Sequence, residues 1–159
     1  MKTILRSIIL TLFIGNAYAQ TAAPVITKEK AIETAILWTA ERDASTWSPV
    51  AMSKYVNDGA LFEKQGNFYK PKQKLVIFGY EALYVGMIGV ENVTGPNATL
   101  KGTPKQIAAT LTKEYGLKFN TSEDEWVCDY NEKLKVKLVI IAHPSIKNTS
   151  ILIGAYLGE

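Results

Sequence analysis

Residues Lys74 to Val90 read KLVIFGYEALYVGMIGV, and this stretch sets the fold class. Two apolar runs, Lys74–Phe78 and Ala82–Val90, flank Gly79-Tyr80. Glycine at the first central position of a two-residue loop supplies the positive φ that a tight hairpin needs. Such a turn sets Val76 opposite Leu83 and Leu75 opposite Tyr84, so both faces pair apolar with apolar and the sheet needs cover on both sides. Gly86-Met87-Ile88-Gly89 has the spacing of a Gly-x-x-Gly nucleic-acid clamp, but it lies inside a strand, without the helix pair of that motif. Strand curvature, a bulge or close packing under a helix accounts for it better.

Working outward, Gly95-Pro96-Asn97 reads as a turn and Ala98–Lys101 as a short strand. Thr103-Pro104 then supplies an N-cap and a first helical proline. Ile107, Ala108, Leu111 and Tyr115 share one side of the helix, and Gly116 ends it. Three more strands follow, at Trp126–Tyr130, Leu134–Ala142 and Ser150–Leu157. The last is apolar on both faces, as a central strand is. For the first pair, a loop of three residues, Asn131 to Lys133, sets Cys128 against Val136 and Trp126 against Leu138 and joins the apolar faces. A loop of two would bury lysines.

Upstream, Ala31, Ile32, Ala35, Ile36, Trp38 and Ala40 recur at helical spacing between Lys28 and about Asp43, after Thr27 as N-cap. Lys30 in place of Glu leaves the capping box incomplete. Ser48-Pro49 begins a shorter helix through Met52 and Tyr55, Asn57-Asp58-Gly59 stops it, and Glu63 to Pro71 is rich in turn formers. The expected fold is α+β: an antiparallel sheet of about five to seven strands, the N-terminal amphipathic helix on one face, and the Thr103–Tyr115 helix on the other face or closing an edge.

Met1 to Ala19 has the form of a secretory signal peptide, with Lys2 and Arg6, an apolar Ile8–Ile14 and a small-x-small site at Ala17-Tyr18-Ala19. The apolar run is shorter than the roughly 20 residues of a membrane-spanning helix. The expectation is cleavage near Ala19, a periplasmic or secreted product without a transmembrane segment, and a single domain over residues 20–159. The chain carries 18 basic and 15 acidic residues; loss of Lys2 and Arg6 leaves 16 against 15, a net charge of +1. That balance lacks the basic surface that nucleic-acid binding needs. Cys128 is the only cysteine, so no internal disulfide can form and the fold rests on its core. Four Asn-x-Ser/Thr triplets, at Asn92, Asn97, Asn120 and Asn148, match the glycosylation pattern, as chance alone produces in a chain rich in Asn and Thr.

Cys128 and His143, the one histidine, suggest a thiolate–imidazole pair, but the expected register puts His143 seven residues beyond Val136, about 23 Å along the strand. Cys128 instead reads as a core residue between Trp126 and Tyr130. One Cys and one His cannot furnish a structural zinc site, and Glu123-Asp124-Glu125 lacks the alternation and glycine of a calcium loop. No cofactor or metal is expected. Glu33, Glu41, Asp43, Asp58, Glu81 and Asp129 are candidate acid–base carboxylates, although none stands in a catalytic motif. Trp38 and Trp126 fall on apolar faces. Trp47, Phe68 and Tyr69 have no periodic reason to be buried and are the candidate partner-binding residues. The expected function is a soluble exported protein, non-catalytic, that binds a protein partner as an inhibitor, immunity factor or assembly helper would. The alternatives are a small envelope hydrolase using dispersed carboxylates and a carrier of an apolar ligand.

Overall fold

Thr27 and Thr103, both with extended backbone, each start a helix by accepting a backbone hydrogen bond from three residues on. A computed structural model describes residues 27–37, 56–90, 93–122, 125–131 and 136–157. The expected signal segment, Trp38, Trp47 and the helix expected from Ser48-Pro49 to Tyr55 lie outside the described residues. Helix α1 spans Lys28–Ile36 with Leu37 as C-cap, shorter than the expected run to Asp43. The apolar period continues through Trp38 and Ala40, so spacing alone does not mark this end.

The strands are β1 (Phe62–Gln65), β2 (Phe68–Pro71), β3 (Val76–Ile77), β4 (Tyr80–Val90), β5 (Val93–Lys101), β6 (Asn120–Ser122), β7 (Glu125–Asn131), β8 (Val136–Ala142) and β9 (Thr149–Leu157), with α2 (Pro104–Tyr115) between β5 and β6. They form one antiparallel sheet in the order β1-β2-β4-β5-β9-β8-β7-β6, and β3 pairs with β4 off that path. The two helices on an antiparallel sheet are the expected α+β architecture. The nine described strands exceed the expected five to seven because β1 and β6 are short and mostly exposed and polar, and β2 is a four-residue Phe-Tyr-Lys-Pro strand without apolar alternation. The central place of the apolar β9, between β5 and β8, follows its sequence.

Turn positions moved in three places. The first hairpin turns at Phe78-Gly79, both with positive φ (52° and 80°), and not at Gly79-Tyr80. Val76 therefore opposes Glu81, and Ile77 opposes Tyr80. Positive φ at both loop residues suits the strand twist, and Glu33 Oε1 on α1 secures the turn by accepting from the Phe78 backbone N–H at 2.7 Å. Gly95-Pro96-Asn97 is not a turn but the interior of β5, which pairs with β4 from Val90↔Val93 onward. A side chain at Gly95 would collide with the Gly154 carbonyl of β9, so glycine there permits a close approach of two backbones. The β7–β8 pair sets Cys128 against Leu138 and Trp126 against Ile140, two residues from the expected register, with an irregularity between Cys128 and Asn131. A shift of two preserves the faces, so the apolar sides still meet.

Both described helices cover the same face; of the two places expected for the Thr103–Tyr115 helix, the other face or an edge, the first is not taken. Ile32, Ala35 and Ile36 of α1 and Ile107, Ala108 and Leu111 of α2 share one core cluster with Val85, Ala98, Leu100, Leu152, Ile140, Leu138 and Cys128. Register places those strand residues on one side. The reason lies in the other side of β5, where the alternating positions Asn97 and Thr99 are polar and offer no seat for an apolar helix.

Candidate functional site

The face opposite the helices carries Phe68, Tyr84, Thr99, Ile151 and Ile141 in neighbouring rows, because Tyr84 pairs with Thr99, Thr99 with Ile151 and Ile151 with Ile141. None of these five belongs to the core cluster under the helices. A cleft of about 260 Å³ opens on this face, lined by Gln65, Phe68, Tyr84, Thr99, His143 and Ile151. Its chemistry is mixed: two aromatic rings and an aliphatic wall, with an amide, a hydroxyl and an imidazole at the margins.

Phe68 stands at the rim, 45% exposed. It is held by the β1–β2 hairpin, whose loop begins at Gly66 with φ 63°. Its ring meets Tyr84 edge to face, with centroids 6.5 Å apart and planes at 65°. Gly86 opposes Phe68 across β2–β4, and a Cβ there would come within 3.1 Å of the Phe68 ring and 2.9 Å of the Asn67 carbonyl. Gly86 thus serves close packing, under the edge hairpin and not under a helix.

His143 directly follows β8, its backbone N–H donating to the Thr149 carbonyl at 2.8 Å. Its Nδ1 accepts from the backbone N–H groups of Ser145 and Ile146 at 3.2 and 3.1 Å. Both bonds require Nδ1 to be unprotonated, so the neutral ring carries its hydrogen on Nε2. The ring is thereby fixed at the cleft wall.

Asn97 lies two residues from Thr99 on the same face of β5, in the row that runs from Phe68 through Gly86 to Asn97 and Ile153. It is 1% exposed, and among the described residues no hydrogen-bond donor meets its buried Oδ1. A desolvated acceptor left unpaired costs about 1–3 kcal/mol. Its burial also removes Asn97 from the surface that glycosylation of a folded chain would need.

The candidate residues separate. Phe68 lines the cleft, as its exposure-prone position suggested. Tyr69 alternates to the helix-covered face, where it packs half-buried against the core and its hydroxyl meets Asn57 Oδ1 at 3.0 Å. Trp47 lies outside the described residues. Thr99, Asn97 and Gln65 were not singled out from sequence as site residues; the available signal was the pair of polar residues at alternating positions inside a strand.

Cys128 is buried under the helices, on the face opposite His143, so the sheet itself separates thiol and imidazole. Burial raises its thiol above the ordinary range, Asp129 adds to the rise, and a backbone hydrogen bond from Lys118 opposes it. Trp126 packs half-buried against the same core.

Four of the candidate carboxylates, Glu33, Asp58, Glu81 and Asp129, each make a local link. Glu33 holds the Phe78 turn and Lys30, and Asp58 accepts from the Ala60 N–H at 2.9 Å. Asp129 pairs with Lys137 at 3.1 Å. Glu81 meets Lys101 at 2.7 Å, and the hydrogen bond from that lysine holds its pKa below the usual carboxylate range. Glu41 and Asp43 lie outside the described residues. Among the described residues, no three His, Cys, Asp or Glu side chains converge as a metal site would need, and no helix is long and apolar enough to cross a membrane. Comparison with known protein families, with curated proteins and with solved structures yields no match.

Proposed function

We propose that this chain is an exported, non-catalytic protein that binds a protein partner through the sheet face opposite its helices, with Phe68 as the anchor. The observation that carries the reading is Phe68 itself: a large aromatic, 45% exposed, packed edge to face on Tyr84 at the mouth of a cleft. Rigid aromatic residues beside pockets dominate binding energy at interfaces. The cleft volume, about 260 Å³, falls below the roughly 300–1,000 Å³ of sites for drug-sized ligands. It favours a single inserted side chain over a carried apolar molecule. Export rests on Lys2, Arg6, Ile8–Ile14 and Ala17-Tyr18-Ala19.

The test starts from the partner that co-purifies stoichiometrically with the mature protein from envelope extract. Phe68→Ala is expected to weaken that complex by about 30-fold or more, the equivalent of a hot spot near 2 kcal/mol. Its own unfolding free energy should stay within about 0.5–1 kcal/mol of the parent, because the ring is half exposed. Unchanged affinity in a folded Phe68→Ala protein moves the partner site off this face.

A further inference from the structure

We infer that His143 is a proton switch: protonation of its ring at Nδ1 breaks the two hydrogen bonds that hold the β8–β9 loop, and so reshapes both clefts that this segment lines. Nδ1 accepts from the backbone N–H groups of Ser145 and Ile146 at 3.2 and 3.1 Å. An imidazolium carries hydrogen on both nitrogens and accepts nothing. A proton on Nδ1 would point at two N–H groups, so ring and loop cannot both stay where they are.

The residue type is what makes this turn sensitive to acid. Side-chain acceptors that bond N–H groups two or three residues on are ordinarily Asp, Asn, Ser or Thr. Histidine places Nδ1 where asparagine places Oδ1, two bonds beyond Cβ, and it is the side chain whose charge ordinarily changes between pH 5 and 8. The rest of the loop leans on the same closure. The His143 N–H donates to the Thr149 carbonyl at 2.8 Å, and the Thr149 hydroxyl donates to the Lys147 carbonyl at 3.3 Å. Between them Asn148 takes φ 53°, a left-handed conformation that a residue with a side chain keeps only where its neighbours enforce it. Ser145 to Asn148 are exposed, so no core packing holds them once the two bonds are gone.

The segment joins two clefts. His143 lines the one beside Phe68, whereas Ile146 to Thr149 line a second, of about 560 Å³, with Lys101 and Gln106. No carboxylate lines either cleft to receive the added charge. Tyr84 is the other titratable side chain in the first, and Lys147 is on the loop itself. On the surrounding strands, Glu63 accepts from Gln65 at 3.4 Å and lies opposite Lys70. Lys101, across β9 from His143 in the row through Thr149, is held by Glu81 at 2.7 Å. Glu125 lies opposite Ile141 and is exposed, and Asp129 is paired with Lys137. The imidazolium is thus left without a ready counter-ion, and its accommodation falls to the loop.

The experiment titrates the full mature protein from pH 8 to pH 5 and follows the His143 ring nitrogens and the backbone amides by NMR. At pH 8 the ring should be the Nε2–H tautomer. As it takes up its proton, the Ser145 and Ile146 amide resonances should move with the same midpoint as the ring. Their protection from exchange, corrected for the pH dependence of a free chain, should fall about five-fold, as the loss of one net hydrogen bond each allows. His143→Asn, whose Oδ1 accepts but does not titrate, should leave both amides protected and still across the range. His143→Ala should leave them unprotected throughout. An Nδ1–H tautomer, amides indifferent to protonation of the ring, or the same movement in His143→Asn overturns the proposal, and the titration of the parent protein needs no variant to fold. No partner enters the measurement, so a partner site elsewhere than Phe68 would leave this result standing.

Discussion

Cys128 shows how much one side chain can report about a core. It is 4% exposed, and burial is the leading cause of its raised thiol. The folded state therefore favours the protonated form. Its stabilising contribution is full below the ordinary thiol value of about 8.5 and is lost as pH rises through the higher folded value. Tyr115 adds in the same direction, since its hydroxyl is raised first by burial and then by Glu33. The urea midpoint is expected to fall from about pH 8 to pH 10, and to fall less in Cys128→Ala. A thiol reagent should label the native protein slowly and the urea-unfolded chain fast; rapid native labelling would contradict the burial. The placement of Cys128 was legible because Trp126 and Tyr130 alternate with it. Asn97 was not, because glycine and proline before a polar residue spell a turn. Only pairing with β4 and β9 makes that segment a strand interior.

At the level of elements, α2 was readable almost to the residue because its signals act locally. Thr103 and Gln106 form a reciprocal capping box, Pro104 occupies the first turn, and Gly116 takes a left-handed φ of 68°. Thr103→Ala should cost about 1 kcal/mol in urea unfolding, with little change in the dependence on denaturant. Gly116→Ala should cost a similar amount through backbone strain, about 1–2 kcal/mol. The hairpins were less legible. A two-residue turn displaced by one position, from Gly79-Tyr80 to Phe78-Gly79, changes every partner and sets Val76 opposite Glu81 in place of Leu83. The edge strands β1 and β6 eluded the pattern altogether. Their exposed polar residues are what an edge needs to resist pairing with other chains, and such residues also look like loops.

For the whole molecule, the sheet order predicts a gradient of stability. Strands β5, β9 and β8 lie inside the sheet and bury Ala98, Leu100, Leu152, Leu138 and Ile140, whereas β1 and β6 end it. Amide exchange should be slowest in β5, β9 and β8 and fastest in β6 and β1; equal protection across the sheet would contradict this organisation. Sequence by itself determined the fold class, the N-caps of both described helices and the C-cap of α2, the centrality of β9 and the face on which Cys128 sits, because each depends on contacts within a helical turn or on strict alternation. Tertiary structure alone decided that both helices take one face, that Asn97 is buried beside Thr99, and that Phe68, Tyr84, Ile151 and His143 line a single cleft. Those outcomes depend on which strands become neighbours, and neighbours distant in sequence are chosen by the cooperative packing of the whole sheet and not by any local signal.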